Sequence, residues 1–137
     1  MIYIDSSIAL ARLFFEARSP PERLWREHLV SSKLLAYEIW NRVHAYGLTT
    51  SHSESARDLL ALVDMIEMTD SALARVLSPF PISVRTLDAL HLATAEYLQR
   101  ADKSLELASY DNRLIAAARP TNPNSGIVIG LARGASR

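Results

Sequence analysis

The sequence predicts one α/β domain with a mainly parallel central sheet of four to five strands, covered by helices on both faces. Its 137 residues are enough for a single domain with one substantial core. Short apolar runs alternate with helical segments along the chain, which is the order of a βαβ architecture. The runs IYI and IVIGL are continuous, as in strands buried on both faces. Because no repeat or linker divides the chain, residues 1–131 are assigned to the domain and residues 132–137 to a flexible C-terminal tail.

The chain opens with a strand, an acid and a helix. Residues 1–4 are predicted to form a short buried strand, Asp5 follows it, and Ser6 and Ser7 precede a helical segment that continues to Phe15. A serine hydroxyl here predicts an N-cap, because its oxygen accepts from the unpaired N–H groups of the first turn. In an open parallel sheet, ligands bind at the carboxyl ends of the strands, where Asp5 is expected. Taken alone, Asp5 is better interpreted as a turn residue or N-cap.

Capping residues, glycine and proline delimit the remaining elements. Ser19 and Glu22 form a capping box for a short helix, and Gly47 is placed to end the helix that begins at Lys33 or Leu34. The other predicted elements are a strand at residues 29–31, a helix capped by Ser51, a strand at 65–69, a helix capped by Asp70 and Ser71 that ends near 77, a buried helix capped by Thr86, a strand at 105–110, a helix at 112–118, a loop at 120–126 and a strand at 127–131.

Composition narrows the class of protein. The absence of cysteine excludes disulfides and thiolate zinc sites. No apolar run approaches the roughly 18–20 residues needed to cross a bilayer, so a cytoplasmic protein is expected. Fifteen basic residues balance fifteen acidic ones, so net charge does not identify a nucleic-acid partner. Thirteen of the basic residues are arginine, which suits bidentate phosphate contacts, although a GC-rich genome would give the same bias.

Four of the fifteen acids stand in apolar surroundings, where an unpaired carboxylate is costly. Asp5 and Asp111 each follow a buried strand, so both are expected at the carboxyl edge of the sheet. Asp88 lies in the first turn of the central helix, and Glu38 lies one turn into its own helix. Any one of them is more readily structural, as an acid that complements a helix dipole would be. Four acids in matching contexts favour one shared site.

Such a cluster must be neutralised. Two unit charges about 4 Å apart repel by roughly 4 kcal/mol at an effective dielectric near 20, so either some of the acids stay protonated or a cation binds. Without cysteine or paired histidines, an all-oxygen site suits Mg²⁺ or Mn²⁺ better than zinc. His91, three residues after Asp88, could reach the same face, although a core or hydrogen-bonding role is the better prediction.

Four segments, in this order and at these separations, resemble the PIN-domain family, and in particular the single-domain toxins of bacterial VapBC toxin–antitoxin pairs. They are MIYIDSSIALA, AYEIWNRV, RTLDALHLATA and ASYDNRL. Each segment alone is a weak signal, but the set is specific. The resemblance implies a single PIN-like domain and a Mg²⁺- or Mn²⁺-dependent endoribonuclease. It also implies that Asp5, Glu38, Asp88 and Asp111 hold the metal and catalyse RNA cleavage.

The resemblance also implies accompanying residues and partners. Ser6 or Ser7 would support the first acid, and water activated by one or two ions would attack the phosphodiester bond, with Asp111 or Glu38 as candidate base. An RNA substrate, a homodimer and a cognate antitoxin whose tail occupies the acidic groove are expected. Candidate RNA contacts are four arginines near the motifs, namely Arg12, Arg42, Arg85 and Arg113.

The alternative is a non-catalytic PIN-like interaction module whose acidic groove binds an arginine-bearing partner. Metal-dependent cleavage would distinguish the two hypotheses. A haloacid-dehalogenase-type phosphatase also begins with a strand ending in Asp, but it needs a second Asp where this chain has Ser7. With only four glycines, the chain also lacks a phosphate-cradling loop.

Overall fold

The computed structural model describes residues 1–15 and 19–119 and the backbone of residues 128–130. Its strands are β1 (Ile2–Ile4), β2 (Leu29–Ser32), β3 (Val63–Ile66), β4 (Glu106–Ser109) and β5 (Val128–Gly130). They form one parallel sheet in the order β3-β2-β1-β4-β5, which confirms the predicted fold class. The α-helices of the described residues are α1 (Ser6–Leu13), α2 (Leu34–Ala45), α3 (Thr49–Ala61), α4 (Asp70–Val76), α5 (Thr86–Ala101) and α6 (Asn112–Ala118), and a short 3₁₀ helix (Glu22–Arg26) precedes β2.

Side chains of β1 alternate between two cores, one on each face of the sheet. Ile2 and Ile4 pack into a core shared with α1, α2 and α3. Tyr3 points the other way and packs with apolar residues of α5 and α6. This is the alternation that a pleated strand imposes, and both faces are apolar because helices cover both. The central strand is therefore held rigidly from both sides.

In two helices the N-cap is the residue before the one that the capping pattern predicted, and for α1 it is Asp5, as the interpretation of Asp5 taken alone had it. The Asp5 side chain accepts from the backbone N–H of Ile8 at 3.4 Å, so Asp5 is the N-cap of α1, and Ser6 and Ser7 lie inside its first turn. The Thr69 hydroxyl accepts from the N–H of Ala72 at 3.1 Å and caps α4 in place of Asp70. In both helices the side-chain acceptor stands one position earlier than predicted, which is enough to satisfy the first turn.

Two more helix starts differ from the prediction. α3 begins at Thr49, and Ser51 lies inside it with its hydroxyl directed back to the carbonyl of Leu48 at 3.4 Å. Thr86 is the first residue of α5, and the extended residue before it, Arg85, makes no side-chain cap. The serine and threonine patterns located these helices but not their first residues.

One strand and one helix end were also placed wrongly. β3 begins at Val63, two residues before the predicted start, because buried Val63 pairs with Leu29 directly after α3. α1 ends at Leu13 rather than Phe15, which has a left-handed φ of 50° and a side chain that is 88% exposed. The predicted stop of α2 is confirmed, since Gly47 has a φ of 69°, where glycine is unstrained.

Parts of the predicted C-terminal region lie outside the described residues. The loop at 120–126, the two end residues of the strand at 127–131 and the tail at 132–137 belong to these parts, so the tail stays a prediction. β5 itself is found at Val128–Gly130. Among the described helices, none has the length and apolar character needed to cross a membrane.

Candidate active site

The strand order reverses beside β1. From β1 the chain builds β2 and β3 to one side, and then returns to place β4 against the other side of β1. Ile4 pairs with Ala108, so the residues that follow each of them reach the same carboxyl edge. These residues include Asp5 after β1 and Asp111 after β4. In open α/β sheets this switch point is where ligands bind.

Asp5 is held on both of its carboxylate oxygens. Its Oδ1 accepts from the Ser7 hydroxyl at 2.6 Å, and its Oδ2 accepts from the Ser109 hydroxyl at 2.6 Å. The residue is 3% exposed. Burial raises the pKa of Asp5 above its usual range, and the hydrogen bonds from Ser109 and Ser7 oppose that shift. The orientation of this carboxylate is therefore set by the protein itself.

The two serines are themselves oriented by the end of β4. Ser7 Oγ accepts from the backbone N–H of Tyr110 at 2.9 Å, and Ser109 Oγ accepts from the N–H of Asp111 at 2.9 Å. With each oxygen engaged as an acceptor, each hydroxyl proton is available for Asp5. Ser7 therefore has the supporting contact that the sequence assigned to Ser6 or Ser7. Ser6 makes no hydrogen bond to Asp5 in the described part of the chain.

Asp111 caps α6 with one oxygen. Its Oδ1 accepts from the backbone N–H groups of Arg113 and Leu114 at 2.9 and 3.2 Å. Its Oδ2 has no hydrogen-bond partner among residues 1–15 and 19–119. One oxygen is thus committed to the helix, and the other can face a ligand.

Asp88 shows that the four predicted acids share one electrostatic environment. Burial raises its pKa, the carboxylates of Asp111, Asp5 and Glu38 raise it further, and His91 opposes them. Within the described ranges, no lysine or arginine forms an ion pair with any of the four. The carboxylates of Asp5, Glu38 and Asp111 therefore lie near enough to Asp88 to raise its pKa.

Glu38 is bound by a histidine. Its Oε1 lies 2.5 Å from His91 Nε2, and its side chain is 16% exposed. His91 is 1% exposed, and its Nδ1 lies 2.7 Å from the Tyr3 hydroxyl. His91 therefore has the hydrogen-bonding role in the core that the sequence favoured, and it does not lie open on the acidic edge.

The donor chemistry at this edge fits a hard divalent cation. All four candidate ligands, Asp5, Glu38, Asp88 and Asp111, are carboxylates, which Mg²⁺ and Mn²⁺ prefer. Among residues 1–15 and 19–119, no three His, Asp or Glu side chains lie close enough together to hold an ion directly. Mg²⁺ usually keeps several waters and takes only one or two carboxylates. The residues therefore fit an ion that is held partly through water.

Two of the predicted RNA-contacting arginines lie beside the acids. Arg85 directly precedes α5, three residues before Asp88, and Arg113 is the second residue of α6, two residues after Asp111. Both are exposed. Their contact with RNA stays a prediction.

The other two arginines are engaged elsewhere. Arg12 lies in the last turn of α1, pairs with Glu22 at 3.5 Å and covers the Trp25 ring at 4.5 Å. Arg42 donates to the Tyr46 hydroxyl at 3.1 Å near the end of α2. Arg42 follows Glu38 by four residues, about one turn along the same helix. The contact of each of these two arginines with RNA stays a prediction.

Sequence patterns assigned no role in the site to Ser109 or Tyr3. Each stands two residues before a predicted acid, Ser109 before Asp111 and Tyr3 before Asp5. A polar side chain at that spacing in a buried strand is a usable signal, because strand residues two apart share a face. Their partners across the fold could not be known without the register of β1 against β4.

Comparison with known protein families agrees with this fold and site. The fold and site define a parallel α/β domain with an acidic switch point, and the family model described as PIN domain matches residues 2–120. The chain belongs to the PIN-domain family, which confirms the predicted resemblance.

Three curated relatives cover nearly the whole chain. Ribonuclease VapC46 of Mycobacterium tuberculosis (strain ATCC 25618 / H37Rv) is 34% identical over 125 residues, covering 86% of this chain and 90% of the relative. Ribonuclease VapC47 of Mycobacterium tuberculosis (strain CDC 1551 / Oshkosh) is 30% identical over 126 residues, covering 87% and 90%. Ribonuclease VapC35 of the latter strain is 27% identical over 124 residues, covering 86% and 90%.

Proposed function

We propose that this protein is a Mg²⁺- or Mn²⁺-dependent endoribonuclease that acts as the toxin of a type II toxin–antitoxin pair. The observation that carries the proposal is the gathering of Asp5, Glu38, Asp88 and Asp111 at the switch point of the sheet, without a paired lysine or arginine in the described residues. Membership of the PIN-domain family and similarity to proteins named Ribonuclease VapC support RNA as the substrate.

In this proposal the acids have different tasks. Asp5, Asp88 and Asp111 hold the cation, and Glu38 completes the set. A bound divalent ion would supply an activated water at neutral pH and would neutralise charge at the phosphate. Asp5 needs no rearrangement on binding, because Ser7 and Ser109 already fix its carboxylate. Asp111 Oδ2 or a Glu38 oxygen accepts the proton of the attacking water.

The substrate approaches over the exposed arginines of the acidic edge. Arg85 and Arg113 each offer a planar guanidinium that can bind a phosphate through two hydrogen bonds. Single-stranded or looped RNA suits such an edge, because its backbone can be splayed into a shallow groove. The duplex major groove of RNA is too narrow for side chains to read.

The proposed toxin role entails a protein partner. A cognate antitoxin would place a basic tail against the acidic edge, where it would compete with both the cation and the RNA. A homodimer and a cytoplasmic location belong to the same proposal.

Cleavage of a fluorescent single-stranded RNA tests the proposal. We expect cleavage with Mn²⁺, loss of cleavage with EDTA, and loss in Asp5→Asn and Asp88→Asn variants that fold as the wild type does. Asp58→Asn is the matched control, because it makes the same chemical change on the exposed side of α3. Equal cleavage by the Asp5→Asn preparation, or by all preparations alike, would assign the activity to a contaminant and refute the proposal.

A non-catalytic interaction module is the second candidate. It is favoured by one observation, namely that the described residues hold no ready-made group of three metal ligands. An unpaired acidic edge could then bind arginine side chains of a partner instead. Mn²⁺-dependent cleavage that Asp88→Asn removes would exclude this alternative.

A further inference from the structure

Glu38 accepts from one side chain among the described residues, and the structure shows which side chain it is. We propose that His91 is the positioning residue for Glu38, with its Nε2–H fixing the Glu38 carboxylate at the acidic edge and Tyr3 fixing the imidazole ring. The inference rests on the proposed function, because it concerns how the metal site is assembled.

Three contacts, two buried and one partly buried, form one chain of hydrogen bonds. The backbone N–H of Ser32 donates to the Tyr3 hydroxyl oxygen at 3.1 Å. The Tyr3 hydroxyl lies 2.7 Å from His91 Nδ1, and His91 Nε2 lies 2.5 Å from Glu38 Oε1. Tyr3 and His91 are almost completely buried, and their rings meet edge to face with centroids 5.8 Å apart. Packing therefore leaves the imidazole little room to turn.

The groups at the two ends of this chain of hydrogen bonds indicate which atom donates the proton in each contact. Because the Tyr3 oxygen accepts from Ser32, its own proton is available for Nδ1 of His91. With Nδ1 as the acceptor, the ring proton resides on Nε2 and points at Glu38. An ionised carboxylate can only accept, so the contact is satisfied in this tautomer. Tyr3 thus sets the tautomer of the His91 imidazole, and His91 in turn contacts Glu38.

Glu38 needs such an anchor more than the other acids do. It has one more side-chain torsion than aspartate, and its neighbours in the site are negatively charged. Left alone, the side chain would gain entropy and lose repulsion by swinging towards solvent. The other acids are placed differently, since hydroxyls hold Asp5 and backbone N–H groups hold Asp111. His91 is the only hydrogen-bond donor that Glu38 has within the described residues.

The chain of hydrogen bonds also joins the elements that carry the acids. Tyr3 lies on β1 two residues before Asp5, His91 lies on α5 three residues after Asp88, and Glu38 lies on α2. A shift of α2 relative to α5 would break the contact. The position of Glu38 is therefore tied to the strand and to the helix that place two of the other acids.

The first test measures the ring proton in the metal-free protein. Long-range ¹H–¹⁵N correlation spectra report which nitrogen of each histidine is protonated, and the His91→Gln variant assigns the His91 signals by their loss. We expect a proton on Nε2 of His91. A ring without a proton on Nε2 would overturn the proposal, because Glu38 would then have to be the donor.

The second test measures Mn²⁺ affinity by thermal-shift titration, in which ligand stabilisation reports the dissociation constant. His91→Leu removes the donor and is expected to weaken Mn²⁺ binding by about tenfold or more, as loss of a hydrogen-bond partner behind a metal ligand does. His91→Gln keeps an N–H donor and should recover most of the affinity. If His91→Leu does not fold, Tyr3→Phe replaces it and should also bind Mn²⁺ more weakly than the wild type.

The control for a merely structural effect lies one turn further along the same helix. Thr94 is equally buried, and its hydroxyl donates only to the carbonyl of Leu90, at 2.8 Å. Thr94→Val changes a buried side chain of α5 and should leave the Mn²⁺ affinity unchanged. Wild-type affinity in His91→Leu, or in Tyr3→Phe where that variant replaces it, would overturn the positioning role.

The two tests separate this inference from the proposed function. If wild-type protein binds no Mn²⁺, the metal-dependent function fails, and the role of His91 in metal binding fails with it. If wild type binds Mn²⁺ and His91→Leu binds it equally well, only the role of His91 fails.

Discussion

Asp5 and Asp88 differ in what keeps each carboxylate in place. Asp5 is buried, but two serine hydroxyls donate to it, and so it is satisfied before any ligand arrives. Asp88 has no hydrogen-bond donor in the described part of the chain, and its pKa is raised by burial and by neighbouring carboxylates. The helix dipole at the start of α5 favours a negative Asp88, whereas burial and the neighbouring carboxylates raise its pKa. The orientation of the Asp5 carboxylate is therefore set without a ligand, whereas a bound cation would be needed to stabilise the charge of Asp88.

The raised pKa of Asp88 predicts how this residue makes the stability of the metal-free protein depend on pH. Asp88 has a folded-state pKa above its ordinary value of 3.8, so the native state holds this proton more tightly than the unfolded chain does. The contribution of Asp88 to stability is then fully present below its ordinary pKa and is lost as pH rises through the folded pKa. Asparagine does not ionise, so the Asp88→Asn variant should not lose this stability as pH rises. We expect the variant to melt at a higher temperature than the wild type at neutral pH in EDTA.

Below about pH 4 the two proteins should converge, because Asp88 is protonated in both states of the wild type. Scanning calorimetry across this range makes the measurement. Asp58→Asn, on the exposed side of α3, should follow the wild type at every pH. A lower melting temperature for Asp88→Asn at neutral pH would contradict the raised pKa.

Three of the four acids lie at the start of a helix. Asp5 caps α1, Asp111 caps α6, and Asp88 lies in the first turn of α5. In a parallel sheet each helix that follows a strand begins at the carboxyl edge, so residues at helix starts converge there. An acid at such a position can serve its helix and a ligand together. Loss of either acid at a cap therefore has two effects, which must be measured separately.

Asp111 allows this separation. Asparagine caps a helix as well as aspartate does, whereas alanine costs about 1 kcal/mol. We expect Asp111→Ala to lower the free energy of unfolding by about that amount in EDTA. Asp111→Asn should keep it, because the Arg113 and Leu114 N–H groups retain an acceptor. Urea unfolding measures the stability, and the RNA assay measures the activity.

Both Asp111 variants should lose RNA cleavage, since both lose the charge. Full activity in Asp111→Asn would mean that Asp111 serves only α6. Equal stability of the two variants would mean that the cap contributes nothing.

At the scale of the whole molecule, the sequence predicted the parallel α/β fold because continuous apolar strands and amphipathic helices leave few other arrangements. It predicted the acids because a carboxylate in apolar surroundings needs an explanation. Helix starts were less predictable, since Thr69 and Asp70, or Asp5 and Ser6, are both good caps and only the backbone chooses between them.

The supporting contacts depend on register, which a single sequence does not reveal. Ser109 meets Asp5 only because Ile4 pairs with Ala108. The Tyr3–His91–Glu38 chain depends on how α5 and α2 pack on opposite faces of β1. Local sequence patterns thus identify the acids, whereas tertiary packing decides what holds them.

The central claim is that the four acids form one cation site, and a melting experiment with and without Mn²⁺ tests it most directly. The wild type should melt at a higher temperature in millimolar Mn²⁺ than in NaCl of equal ionic strength. The Asp58→Asn variant should show the same shift, and Asp88→Asn should show little or none. No shift in the wild type, or an equal shift in Asp88→Asn, would contradict the claim.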